Sequence, residues 1–140
     1  MQKTIIRTVG CFLQYKNTFL ILHRQPHKAD GDMWGLPAGK VELGETDEQT
    51  ILRELAEETG YHATKDQLEF LGQYDWDFPE FYLEFPTYRI TLDTLIDISH
   101  QPDEHSEYRW VTAQECYSMT NLIRGFHQLL ELTGHVPINK

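Results

Sequence analysis

The chain has only two cysteines in 140 residues, Cys11 and Cys116. They are too few and too far apart to form a disulfide framework or a zinc-binding spacing, so they read as ordinary, partly buried thiols and suggest a reducing compartment. Long hydrophobic runs are absent as well. The N-terminal stretch MQKTIIRTVGCFLQYKNTFLIL is interrupted by Arg7 and Lys16, which argues against a signal peptide or a membrane span and makes a cytoplasmic location the expectation. Positive charge is scarce, with 12 Lys and Arg against 22 Asp and Glu, a net charge of -10. Such a chain is repelled by nucleic acids and anionic lipid unless cations intervene, so neither a long nucleic acid nor a membrane is expected as a partner. Internal repeats, low-complexity tracts and Gly/Ser-rich linkers are also missing. With 40% apolar residues, residues 1–140 are expected to form one domain with its own core.

Two stretches, TIIRTVGCFLQY and TFLILHR, are rich in β-branched and aromatic residues and meet across Lys16 and Asn17; they read as a β-hairpin. QPHKADGDMWGLPAGKVELGE reads as a long loop broken by short extended pieces, and loops of that length usually have a function. Thr46 followed three residues later by Gln49 is a capping box, and Gly60 can end a helix in the left-handed conformation, which predicts a helix from Asp47 to Thr59. Beyond it, EFLGQYDWDF, YLEFPTYRITLDTLIDI and EYRWV read as strands, and TAQECYSM and NLIRGFHQLLELTG as helices with Thr and Asn caps. Strands on both sides of a central helix, closed by a helical pair, predict an α/β or α+β sandwich around a mixed sheet.

The central helix raises the functional question. At about 100° per residue, Glu54, Glu57 and Glu58 share about 100° of arc, while Ile51, Leu52, Leu55 and Ala56 lie on the other side. An acidic pair on an amphipathic helix is ordinarily a solvated face. A solvated face, however, usually mixes signs, and here only Arg53 intervenes, four residues before Glu57. A divalent cation would remove the repulsion, and magnesium takes a few carboxylates together with water and substrate phosphates.

Gly39, five residues, Glu45, seven residues, then Arg53-Glu54-Leu55-x-Glu57-Glu58-x-Gly60 resembles the signature of the Nudix hydrolases. A chance match is rarer than about one in a million. Tyr61 stands where the signature has an aliphatic residue, and LPAGK where LPGGK is commoner. The resemblance implies a Nudix-type α/β/α sandwich around a mixed β-sheet. It also implies hydrolysis of the pyrophosphate bond of a nucleoside diphosphate linked to another moiety, with Mg2+ or, in its place, Mn2+. Glu57 and Glu58 match the principal metal ligands, Glu54 a further ligand or a base orienting the water, and the carbonyl of Gly39 a backbone ligand. Arg53 matches the residue that orients the glutamates. Glu45 either lies behind the ligands or is a charge favoured near a helix N-terminus. A further carboxylate is expected from DEHSEYRWV, with Glu104 preferred to Glu107 because it lies further into the loop; His105 is read as a surface histidine rather than a proton carrier.

Lys40, after the glycine turn, and Arg24, at the end of the second strand, are candidate phosphate contacts, or else surface cations with carboxylate neighbours. YDWDFPEFYLEF packs six aromatic residues into twelve. Alternation sends at least half of them into the core, and the rest could stack on a base, with Trp76, Phe78, Phe81 and Tyr82 as candidates. Trp34 is expected to anchor its loop. A nucleoside triphosphate or modified nucleotide is the expected substrate. Homodimerisation is left open, because no self-complementary surface is evident. Two competing readings are a silent nucleotide-binding domain and a metal-stabilised structural domain; the intact set of glutamates favours catalysis.

Overall fold

The computed structural model describes residues 3–25, 31–99 and 105–137. Its strands are β1 Ile5–Tyr15, β2 Thr18–Arg24, β3 Trp34–Gly35, β4 Ala38–Lys40, β5 Glu69–Asp77, β6 Tyr82–Leu92 and β7 His105–Thr112. Its helices are α1 Asp47–Thr59, α2 Ala113–Tyr117 and α3 Phe126–Leu132, with a short 3-10 turn at Lys65–Gln67. Among the described residues no helix is long and apolar enough to cross a membrane.

β1 is the axis of a mixed sheet. Along one edge it runs parallel to β6, from Ile5 opposite Tyr82 to Tyr15 opposite Leu92, and β6 pairs antiparallel with β5. Along the other edge it meets two partners in turn: β4 at Thr8 to Gly10, then β2 at Gln14 and Tyr15. β2 diverges from there, pairing with β7 on one side and with β3 on the other at Leu22 and His23. The segment from Trp34 to Lys40 therefore begins on β2 and ends on β1, and the Cys11 N–H donates to the Pro37 carbonyl at 3.0 Å within that crossing.

Alternation along β1 and β2 fills two cores, because successive strand side chains point to opposite faces. Val9, Cys11, Leu13, Leu20 and Leu22 pack with Ile51 and Leu55 of α1 on one face. Phe12, Phe19 and Ile21 pack with Phe126, Leu129 and Leu130 of α3 on the other. The result is the expected α/β/α sandwich. Cys11 and Cys116 are both buried, and burial pushes each thiol up to about 12, so neither is a reactive group at neutral pH. Trp34 is also buried and anchors its loop: its N–H donates to the Asn121 carbonyl at 2.8 Å and its carbonyl accepts from the Ile123 N–H at 2.9 Å.

The capping residues set the limits of α1. Thr46 Oγ1 accepts from the Gln49 N–H at 3.1 Å, and Gln49 Oε1 accepts from the Thr46 N–H at 2.9 Å. Gly60, at φ 78°, donates to the Ala56 carbonyl at 3.0 Å. Two later expectations need correction. The strand expected to reach Ile98 ends at Leu92, because Ile96 and Ile98 leave the sheet to pack on the α1 side and the Ser99 N–H caps the Thr59 carbonyl at 2.8 Å. The helix expected from Asn121 begins only at Phe126, because Trp34 engages the backbone of Asn121 and Ile123, and Gly125 at φ 87° interrupts the helical path.

His135 stacks on Phe12 with ring centroids 4.1 Å apart, and its Nδ1 lies 2.7 Å from Thr133 Oγ1. Burial, aided by the charge of Arg89, lowers its pKa from 6.5 to about 4. As the pH falls below 6.5 the unfolded chain takes up this proton before the folded one does, so the stability present above 6.5 declines toward about 4. Thermal melts from pH 7 to 4 are expected to show Tm falling, with a shallower fall in His135→Gln; equal slopes would contradict the assignment.

Candidate active site

Arg53 is the hub of the acidic face of α1. Its Nε and Nη2 donate to the two carboxylate oxygens of Glu45 at 2.8 and 3.0 Å. Its Nη1 reaches Glu54 Oε1 at 2.7 Å and Glu57 Oε2 at 3.4 Å, and Nη2 also donates to the Lys40 carbonyl at 3.3 Å. One planar fork thus ties three glutamates to β4. Hydrogen bonds from Arg53, then from the Glu42 N–H, hold the Glu45 carboxyl down at about 2, so it stays ionised at neutral pH. Arg53→Lys is expected to cut turnover about 10- to 100-fold, the usual cost of losing a group that orients ligands, because one ammonium cannot span these acceptors. Retention of full activity would contradict this role.

Glu58 is only 3% exposed, and its Oε1 accepts from the Ala38 N–H at 3.0 Å. The Glu54 side chain, 13% exposed, lies against Gly39, where an added Cβ would collide with its carboxyl group. Burial raises the Glu54 pKa, Arg53 opposes the rise, the charge of Glu57 adds to it, and a hydrogen bond joins Glu54 to Glu58. Two carboxyl groups in such contact need a shared proton or a cation. Glu57 is the most open of the three, its side chain 51% exposed and directed to Arg53. Among the described residues no three His, Cys, Asp or Glu side chains already close around a point. The donors form an open set of hard oxygens, which fits a divalent cation that keeps part of its water shell.

These carboxylates line one wall of a cavity of about 540 Å3. Gly39, Lys40 and Arg24 line it beside them, and Trp76, Phe78, Phe81 and Phe85 form an aromatic wall. Of the expected stacking residues, Tyr82 is not among the cavity lining. It sits on the same face of β6 as Glu84, opposite to Leu83 and Phe85, and its hydroxyl donates to Asp75 at 2.9 Å. Glu104 lies outside the described residues. Glu107 is held in β7 opposite His23 and does not line the cavity. Phe85 and Arg124 are lining residues that the sequence reading passed over. Phe85 shares a strand face with Leu83, a period-two signal that was available. Tyr61, the departure from the signature, packs its ring on the α1-side core while its hydroxyl accepts from Gln67 Nε2 at 2.7 Å.

A profile of the NUDIX domain matches residues 4–130. Phosphatase NudJ of Escherichia coli K12 is 30% identical over 118 residues, 82% of this chain and 73% of NudJ. The putative mutator protein MutT4 of Mycobacterium tuberculosis is 52% identical over 46 residues, 33% of this chain, and the match spans only 18% of that longer protein. The crystal structure of the MutT protein of Methanosarcina mazei aligns at TM-score 0.84 and 25% identity, covering 96% of both chains. The chain belongs to the Nudix family, whose members are pyrophosphohydrolases acting on nucleoside diphosphate derivatives, generally with divalent metal ions.

Proposed function

We propose that residues 1–140 act as a single-domain, magnesium-dependent hydrolase, with manganese as a substitute, that cleaves the pyrophosphate bond of a small nucleotide, a nucleoside triphosphate or a modified nucleotide. The observation that carries this reading is the joint lining of one cavity by the box carboxylates and by a wall of aromatic rings. Glu57, Glu58 and the Gly39 carbonyl would hold the cation, with Glu54 beside them as a further ligand or as the base that orients the water. When bound, it neutralises charge on the phosphate oxygens and makes water a stronger nucleophile.

The remaining work falls to the chain's own side chains. Lys40 and Arg24, both lining the cavity, draw the phosphates in. Water attacks phosphorus, the anhydride P–O bond breaks, and the departing phosphate carries the bonding electron pair. As the base, Glu54 takes the proton of the attacking water at a carboxylate oxygen, and Arg53, 2.7 Å from it, keeps that carboxylate oriented. Trp76, Phe78 and Phe81 stack against the base.

The test is phosphate and pyrophosphate release with magnesium across nucleoside triphosphates, oxidised nucleotides, ADP-ribose and dinucleoside polyphosphates, beside Glu57→Gln. Turnover that vanishes in the variant is expected. Nucleotide binding without turnover anywhere in the panel would overturn catalysis and leave a binding domain.

A further inference from the structure

We propose that Arg124 selects the base, so that the cavity prefers nucleotides whose base presents a carbonyl acceptor (guanine, uracil, thymine) to those presenting an amino group there (adenine, cytosine). This rests on the nucleotide reading above and narrows it. Arg124 belongs to the turn before α3 and reaches the aromatic wall across it. Its guanidinium lies 4.3 Å from the Phe78 ring centroid and 5.8 Å from that of Phe81, and these two rings meet edge to face at 5.4 Å. Its Nη1 spans both Glu80 carboxylate oxygens at 3.2 Å. The side chain is thus held at the cavity through one nitrogen and its flat face, and among the described residues Nε and Nη2 make no hydrogen bond.

The Glu80 carboxylate, the acceptor beside Arg124, is turned to Nη1 and is not among the residues that line the cavity. Among the described lining residues the aromatic wall is made of Trp76, Phe78, Phe81, Phe85 and aliphatic neighbours. The Trp76 indole N–H is engaged by Gln128 Oε1 at 2.6 Å. Arg124 is the polar lining side chain that contacts the rings of Phe78 and Phe81, and a guanidinium carries donors only. Guanine offers N7 and O6 to such a fork, whereas adenine sets an N6 amino group against it; uracil and thymine offer O4 where cytosine has its N4 amino group. A donor facing a donor forgoes the hydrogen bond that a carbonyl base would make at this half-exposed side chain, and discrimination follows from that difference.

The experiment compares kcat/KM for GTP against ATP and UTP against CTP in the wild type, Arg124→Ala and Arg124→Lys, with GDP and ADP binding to each measured by calorimetry. The wild type is expected to favour the carbonyl base of each pair by about tenfold or more, the range for one well-placed base contact, and chiefly through KM. Arg124→Ala should erase the preference, while Arg124→Lys, which keeps a donor but loses the planar fork, should retain part of it. Equal wild-type values, or a preference that survives Arg124→Ala, would overturn the assignment. Absence of all turnover would count against the hydrolase reading alone, since the GDP-to-ADP affinity ratio still decides the role of Arg124.

Discussion

Glu58→Gln is expected to lower kcat by about three orders of magnitude while leaving Tm unchanged or slightly raised. The reasoning separates the two roles of this side chain. As a structural acceptor, Glu58 Oε1 takes the Ala38 N–H at 3.0 Å in a nearly solvent-free position, and a glutamine oxygen can take the same hydrogen bond. As a charge, Glu58 is buried and hydrogen-bonded to Glu54, whose pKa burial and the charge of Glu57 raise; a neutral glutamine takes one charge out of that buried site. On the proposed reading, what is lost is a negative ligand for a cation, whose stabilisation of transition-state charge amounts to several kcal/mol, with each 1.36 kcal/mol worth about tenfold in rate. Activity assays beside thermal melts check both halves. A variant that melts normally and turns over normally would remove Glu58 from the active site.

The second large effect is expected at Gly39, where the cause is steric. A methyl group there would occupy the space of the Glu54 carboxyl group. In Gly39→Ala the glutamate must swing away, giving up its 2.7 Å contact with Arg53. Overpacking of this kind typically costs about 1–3 kcal/mol of stability, and misplacing a reacting group by about 1 Å costs on the order of 100-fold in rate. The double variant Gly39→Ala with Glu54→Ala distinguishes the two losses. Its stability should recover, because the colliding side chain is gone, while its activity should not. A strong coupling between the two positions is the expected signature; a double variant as unstable as the single one would mean that the collision is not the cause.

The legible parts of the fold were those set by local chemistry. The Thr46 and Gln49 box and Gly60 defined α1 from Asp47 to Thr59 in the sequence as in the structure, because caps act within one turn of the chain. The β1–β2 hairpin was equally readable from its composition. Residues 121–125 were not, since the Asn121 carbonyl and the Ile123 N–H are claimed by Trp34, far away in sequence, and tertiary pairing overrides propensity there. The apolar run after Leu92 failed for the same reason, as Ile96 and Ile98 serve the core beneath α1 rather than the sheet.

The candidate site divides in the same way. Spacing along one helix brought Glu54, Glu57 and Glu58 together, and all three line the cavity. The aromatic wall depends on strand parity, which separates Tyr82 from Phe85, and on a turn contributed by a distant part of the chain, which supplies Arg124.

The crossing of residues 34–40 from β2 to β1 also bears on how such a site can diversify. The carboxylates of α1 and the turn at Gly39 are tied to that crossing by Arg53 and by the Ala38 N–H. The rings of Phe78 and Phe81, proposed to face the base, sit on the hairpin between β5 and β6, joined to the turn before α3 through Arg124 and Glu80. Exchanging the tip residues 78–81 together with position 124 would therefore alter which molecules are accepted without touching the groups assigned to bond cleavage. A lineage built on this scaffold can drift in diet while its chemistry stays put.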